Sequence, residues 1–314
     1  MQKNLFSFDK IKDYKEGEIL ICCHDAGAAT LIREWFVPYL SKVNFFIEGP
    51  AENIFKKYKI RRINNDLEIS ISKCNLLITG TGWSSNLEHK ARKIAKKYSI
   101  KSIAVIDHWV NYDERFIRGK EKIMPDLIWV SDNYSYEKAK QHFPKIEIMK
   151  LENIWLEKIK KKVKNSKDLN IYKKKYLPKK LLYFTEPIRL KWEGNEIGEI
   201  QALNYFFNKL MRLSQLSHIS SIEKIEELRI RIHPSEQEKK YKKFLSNINI
   251  KFPIYFDKYE SLEESLINAD ACFGCETQAL VVSLHCNIPT YCTIPSWGNK
   301  CRLPHKEIIH IKDL

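Results

Sequence analysis

Nowhere in the 314 residues do apolar side chains run together for the roughly 18 positions a membrane span requires. Met1 to Gly17 is mostly polar, without the basic segment and apolar run of an export signal. The expectation is a cytoplasmic chain that does not cross a membrane. There is no G-x-G-x-x-G, which disfavours a nicotinamide cofactor, and no cofactor is expected. The eight cysteines are scattered, several of them inside apolar strand patterns where free thiols pack as small hydrophobes, which suits a reducing compartment. Cys272 and Cys275 form one C-x-x-C, but no second such pair and no paired His lies at zinc-finger spacing, so no metal is expected.

Acidic residues are in deficit, 39 Asp and Glu against 54 Lys and Arg, for a formal charge of +15. Such a balance attracts polyanions: nucleic acid, anionic lipid headgroups or phosphorylated substrates. Much of the excess lies in local runs such as Lys158 to Lys164 and Lys173 to Lys175, which read as a solvated linker. With 44% hydrophobic and 30% charged residues the chain is globular, and its length suits two domains.

The first half repeats a short β-branched apolar run, a turn of small or polar residues and an amphipathic helical stretch, the pattern of a parallel sheet. Strands are expected at Glu18 to Cys23, Lys42 to Ile47, Asn75 to Thr79, Ile103 to Ile106, Asp126 to Val130 and Glu147 to Met149. Helices are expected at Ala28 to Leu40, Ala51 to Tyr58 and Asn86 to Tyr98. Lys-rich sequence from Trp155 to Lys180 marks a boundary. A second series follows: strands Leu181 to Phe184, Leu228 to Ile232, Ile254 to Phe256, Ala271 to Phe273 and Thr290 to Thr293, with a long helix near Ile200 to Leu216. The fold class is therefore α/β, two Rossmann-like domains over residues 1–165 and 179–314 facing a central cleft. Ligands bind beyond the carboxyl ends of such strands, so strand-end residues are the site candidates.

After the first strand come His24-Asp25-Ala26-Gly27-Ala28. Small residues expose helix N-terminal amides to an anion, and Asp25 either deprotonates an incoming hydroxyl, with His24 as helper, or caps the helix. The third strand ends in Thr81-Gly82-Trp83-Ser84-Ser85, a turn that either cradles a phosphate or sugar hydroxyl or is an ordinary capped strand-to-helix turn. Asp107-His108-Trp109 closes the next strand. There an acid, an imidazole and aromatics either line an acceptor sugar or pack in the core. Asp25, His24 and Asp107 are the candidate catalytic residues; Gly27, Thr81, Gly82, Trp83, His108 and Trp109 are the candidate acceptor side.

In the second half Glu186 closes the first strand and could accept ribose hydroxyls or a base edge. Arg229-Ile230-Arg231-Ile232-His233-Pro234-Ser235-Glu236 is more distinctive. It is a strand with alternating Arg that ends in His-Pro and opens a polar helix, with His233 able to donate to a phosphate. The run through Glu276-Thr277-Gln278 enters a helix directly, putting amides and a hydroxyl at its positive end, where a nucleotide phosphate fits and where Thr277 equally serves as a cap.

With these motifs in view, the second half resembles the nucleotide-binding domain of GT-B glycosyltransferases that build bacterial capsule, lipopolysaccharide or flagellar glycans. It is most similar to their sialyltransferase- and polysialyltransferase-like branch, which has a His-Pro motif like His233-Pro234 and a hydroxyl-bearing turn like Glu276-Thr277-Gln278. The resemblance implies that both elements bind the nucleotide phosphate and that the base is an N-terminal carboxylate, best matched by Asp25. It implies metal-independent, inverting transfer of a sialic-acid-like sugar from a CMP-sugar to a surface glycan or protein acceptor. The basic surface would then lie near an anionic inner membrane face. A UDP-sugar 2-epimerase or nucleotide-sugar hydrolase would use the same fold. A nucleic-acid-binding protein would use the charge, but no recognised module supports it, and nucleic acid is not an expected partner.

Overall fold

The computed structural model describes residues 18–63, 66–166, 178–213 and 225–314. The chain divides into two compact units between Trp155 and Leu156. The first contains β1 (Ile19–Cys23), α1 (Ala26–Phe36), β2 (Asn44–Ile47), α2 (Pro50–Phe55), β3 (Arg61–Arg62), α3 (Leu67–Ser72), β4 (Leu76–Thr79), α4 (Leu87–Lys97), β5 (Lys101–Val105), a hairpin of β6 (Ile117–Arg118) and β7 (Glu121–Lys122), β8 (Leu127–Val130), α5 (Asn133–His142) and β9 (Glu147–Lys150). Seven of these strands form one sheet in the order β3-β2-β1-β4-β5-β8-β9, every neighbouring pair parallel.

The central strands are apolar along their whole length because helices cover both faces of the sheet. In β1 all five residues are buried, and β4 and β8 are buried throughout. α1 turns Leu31, Ile32, Trp35 and Phe36 into the core, where Trp35 meets Trp129 edge-on with centroids 5.8 Å apart. It stops at Phe36 rather than the expected Leu40. Pro38 lacks the N–H an α-helix needs there, and the chain passes into a short 3-10 turn.

α6 (Ile154–Ser166) spans the boundary. It corrects the linker reading of Lys158 to Lys164: these lysines form the outer face of a helix whose Ile159 and Val163, one turn apart, are buried. Lys173 to Lys175 lies outside the described residues. The second unit continues with β10 (Lys180–Phe184), α7 (Gly198–Leu213), β11 (Glu227–Arg231), α8 (Glu238–Leu245), β12 (Ile254–Phe256), α9 (Leu262–Ile267), β13 (Ala271–Gly274), α10 (Gln278–His285), β14 (Thr290–Cys292) and β15 (Ile309–His310). Its six-stranded sheet runs β12-β11-β10-β13-β14-β15, again all parallel. The end of the expected long helix, beyond Leu213, lies outside the described residues.

Each sheet starts near its middle, grows outward on one side and then returns to grow on the other. The reversal falls between β1 and β4 in the first unit and between β10 and β13 in the second. Such reversals splay the flanking turns apart and are where open α/β sheets bind ligands.

Candidate functional site

In the first unit the turns after β1 and β4 meet at the reversal. Asp25 has the backbone of an N-cap to α1, yet its side chain makes no capping bond. Its Oδ1 instead accepts the Ser84 hydroxyl at 2.9 Å and lies 3.3 Å from His24 Nδ1. Asp25 and His24 keep 29% and 20% of their side-chain exposure, and among the described residues no Lys or Arg pairs with Asp25. The carboxylate is thus oriented, reachable and uncompensated by a fixed cation. Its close approach to the second turn requires a glycine, for a Cβ on Gly82 would fall 2.0 Å from Asp25 Oδ2.

These turns are held by charges that the sequence reading missed. Glu88 of α4 is 1% exposed, and its two oxygens accept the backbone amides of His24 (3.0 Å) and Gly82 (2.7 Å). Burial raises its pKa, and the amide of His24 opposes that rise. Arg92, one turn further along α4, donates to Thr79 Oγ1 and to the Gly80 carbonyl, both at 2.9 Å, and burial pushes its pKa down to about 10. Arg115 donates to Asp107 Oδ1 and to Thr81 Oγ1, both at 3.1 Å.

The structure separates the remaining candidates of this unit by exposure. Trp83 is 64% exposed on the turn beside Ser84. Thr81 is fully buried and spends its hydroxyl on the Val105 carbonyl and Arg115, and Trp109 is buried with its indole donating to Asp132. Trp109 takes the core position that was its alternative above, and Thr81 braces the turn from inside. Asp107 is paired with Arg115 and packed on α1, where a Cβ on Gly27 would lie 1.9 Å from its Oδ2. His108 sits half-buried against the Trp109 ring.

In the second unit the turns after β10, β11 and β13 converge. Glu186 crosses the reversal to accept the Glu276 amide at 2.8 Å. Burial pushes its pKa up to about 7. Glu276 does not present a free carboxylate. It is held by the Arg302 guanidinium and accepts the Arg302 backbone amide at 2.9 Å. Thr277 caps α10 through its hydroxyl, which accepts from Ala279, and Gln278 opens the helix.

His233 is fixed at both ends. Its backbone amide donates to Thr185 Oγ1 at 2.8 Å. Its Nδ1 accepts the Ser235 amide at 3.2 Å and lies 2.8 Å from the Ser235 hydroxyl. With Nδ1 serving as acceptor, the ring proton of the neutral form sits on Nε2, and burial favours that neutral form by lowering the pKa. Pro234 does not begin a helix. A turn closed by Glu236 N–H to His233 C=O intervenes, and α8 starts only at Glu238. The alternating arginines of β11 are internal braces: Arg229 and Arg231 both bind the fully buried Asp257 carboxylate, at 2.9 and 2.7 Å. Farther along, Cys275 and Cys292 are buried, and the half-buried Cys301 precedes Arg302.

Two successive doubly wound parallel sheets, each with polar groups gathered at its reversal, define the class: a GT-B-like fold of two Rossmann-like domains. Two solved structures with TM-scores above 0.5 share it. A protein of Listeria monocytogenes assigned as a UDP-N-acetylglucosamine 2-epimerase matches 88% of this chain and 79% of its own, with TM-score 0.55 and 10% identity. The UDP-GlcNAc 2-epimerase of Methanocaldococcus jannaschii matches over 87% and 83%, with TM-score 0.52 and 13% identity. MurG of Acinetobacter baumannii matches over 88% and 78%, at TM-score 0.49 and 12% identity. No family model matches the chain, and a search of the curated proteins finds no match.

Proposed function

We propose that the chain is a glycosyltransferase that moves a sugar from a nucleotide-sugar donor onto a glycan or protein acceptor. The observation that carries this reading is the His233 ring, whose Nδ1 accepts the Ser235 amide so that Nε2–H is left to donate to a leaving phosphate. The α10 N-terminus with Thr277 and Gln278 adds amides at the positive end of a helix dipole. Asp25 serves as base: it takes the acceptor's hydroxyl proton, the acceptor oxygen bonds to the anomeric carbon, and the sugar–phosphate bond breaks with its electron pair leaving on the nucleotide. His24 and Ser84 orient that carboxylate, and Trp83 offers a stacking face for the acceptor. The resemblance of His233-Pro234 to the sialyltransferase-like branch supports a CMP-sugar donor, metal independence and inversion as parts of the same proposal.

Calorimetry against CMP, CDP, UDP, UMP, GDP and NAD, with a short oligonucleotide as control, tests it. The expected result is selective binding of one nucleotide that His233→Ala abolishes. Oligonucleotide binding alone would overturn the reading.

A second reaction on the same site, epimerisation or hydrolysis of a nucleotide sugar, is favoured by Glu186, a buried carboxyl that exchanges its proton near neutrality. Donor consumption without an added acceptor distinguishes it. The lysine faces of α4 and α6 support peripheral contact with an anionic membrane, which co-sedimentation with vesicles indifferent to anionic lipid would overturn.

A further inference from the structure

Two strand-end turns of the second unit are tied together by a bridge of three charges, two buried carboxylates and a half-buried lysine. Lys240, on α8, pairs through Nζ with Oε1 of Glu199 and lies 2.5 Å from Oε1 of Glu236. The two carboxylates retain only 2% and 5% side-chain exposure. Burial works against the Lys240 ammonium, and the bonds to Glu199 and Glu236 outweigh it, holding the pKa above its ordinary value. Glu236 belongs to the turn closed onto the His233 carbonyl. Glu199 stands in the first turn of α7, and its other oxygen accepts the backbone amide of Arg189 at 2.9 Å.

Arg189 is unusual in two ways. Its φ of +59° is a left-handed conformation that long L side chains rarely adopt, and the Glu199 carboxylate clamps it there. Its side chain is exposed, and among the described residues its guanidinium has no hydrogen-bond partner. It lies on the turn whose Thr185 hydroxyl holds the His233 amide at 2.8 Å, and its charge favours the neutral imidazole, as burial does, against the larger opposing effect of Glu236. A strained backbone thus holds an exposed cation on the turn that anchors His233, whose ring has a spare N–H donor.

We propose that Arg189 and His233 bind one phosphate group together, Arg189 supplying charge and His233 an Nε2–H, and that Lys240 is the positioning residue that sets both turns. This rests on the donor-site reading above and extends it to two residues that reading does not use.

The test is titration calorimetry of the full chain with inorganic pyrophosphate and with CMP, on wild type, Arg189→Ala, Lys240→Met and Lys240→Arg. Arg189→Ala, an exposed change, is expected to weaken binding at least tenfold without moving Tm. Lys240→Met is expected to weaken it comparably although Lys240 touches no ligand, and Lys240→Arg to restore most of the loss. Wild-type affinity in Arg189→Ala, or in Lys240→Met below its Tm, would overturn the inference while leaving the donor site standing. Arg189-dependent binding of pyrophosphate with no affinity for any nucleotide would uphold the inference and overturn the donor-site reading; binding of neither probe would overturn both.

Discussion

The Glu186 carboxylate reaches across the strand reversal of the second sheet to hold the amide of Glu276 at 2.8 Å, and the side chains of Asp25 and Ser84 make the corresponding bridge at 2.9 Å in the first. In each unit an acid following the first strand is tied to the turn that follows the strand on the far side of the reversal. The two bridges differ in solvation. Asp25 keeps access to water, whereas Glu186 is buried enough to titrate near neutrality.

Glu186 should give stability a pH dependence of known sign. Its folded pKa of about 7 lies above the unfolded value of 4.5, so the folded state holds a proton the unfolded state releases. The contribution is fully present below pH 4.5 and is lost as pH rises through about 7, up to about 3 kcal/mol at 1.4 kcal/mol per unit. Urea unfolding between pH 4.5 and 8 should show this decline in wild type and a flatter profile in Glu186→Gln. Parallel profiles would refute the assignment.

Replacing Glu88 by Leu strands two backbone amides and leaves Arg92 without its neighbouring countercharge. The expected loss is about 3–5 kcal/mol, as for other buried charges deprived of a partner. Chemical denaturation measures it, and a loss below about 1 kcal/mol would mean the carboxylate is not what holds the two turns.

Gly82→Ala puts a methyl where Asp25 Oδ2 now lies, 2.0 Å from the new carbon. The Asp25 side chain must swing away, so turnover should fall about tenfold or more while Tm moves by only a few degrees. Unchanged turnover in this variant would remove Asp25 from the proposed chemistry.

Asp25→Asn and Asp107→Asn separate base from brace. The first should cut kcat by a factor of about 10² to 10⁴ with donor affinity kept. The second breaks the pair with Arg115 and should act mainly on stability, by about 1–3 kcal/mol. Equal kcat losses with unchanged stability would mean that Asp107 shares the proton transfer.

Strand periodicity carried most of the fold: β1, β8 and β13 are continuous apolar runs, as are β4 up to Thr79 and β10 after Lys180, and all fall where that pattern predicts them. The short edge strands β3 and β15, and the β6–β7 hairpin, have two residues per strand and no periodicity to read. Lysine spacing hid α6, because only Ile159 and Val163 mark its inner face. Of the site, residues directly after strands were legible, but their supports were not. Glu88 and Arg92 left one trace, falling on the same face of α4 as Leu87, Ala91 and Ala95. Arg189 left none, since a left-handed arginine is imposed by Glu199, ten positions away in sequence. Arg302 meets Glu276 only after the chain has passed through β14.

Seven of the eight thiols are sealed inside the two units, and Cys301 is the exception. It is partly open to solvent, whereas the neighbouring Cys292 thiol is buried and donates to the Cys275 carbonyl at 3.1 Å, so Cys301 is the sulfur a reagent can reach. A maleimide or haloacetyl dye offered to the native protein should therefore settle at one position, next to the arginine that grips Glu276 at the opening of α10. The unmodified sequence thus carries a single labelling handle beside the turn proposed for the donor, and a fluorophore there would test nucleotide arrival in real time without any engineered cysteine.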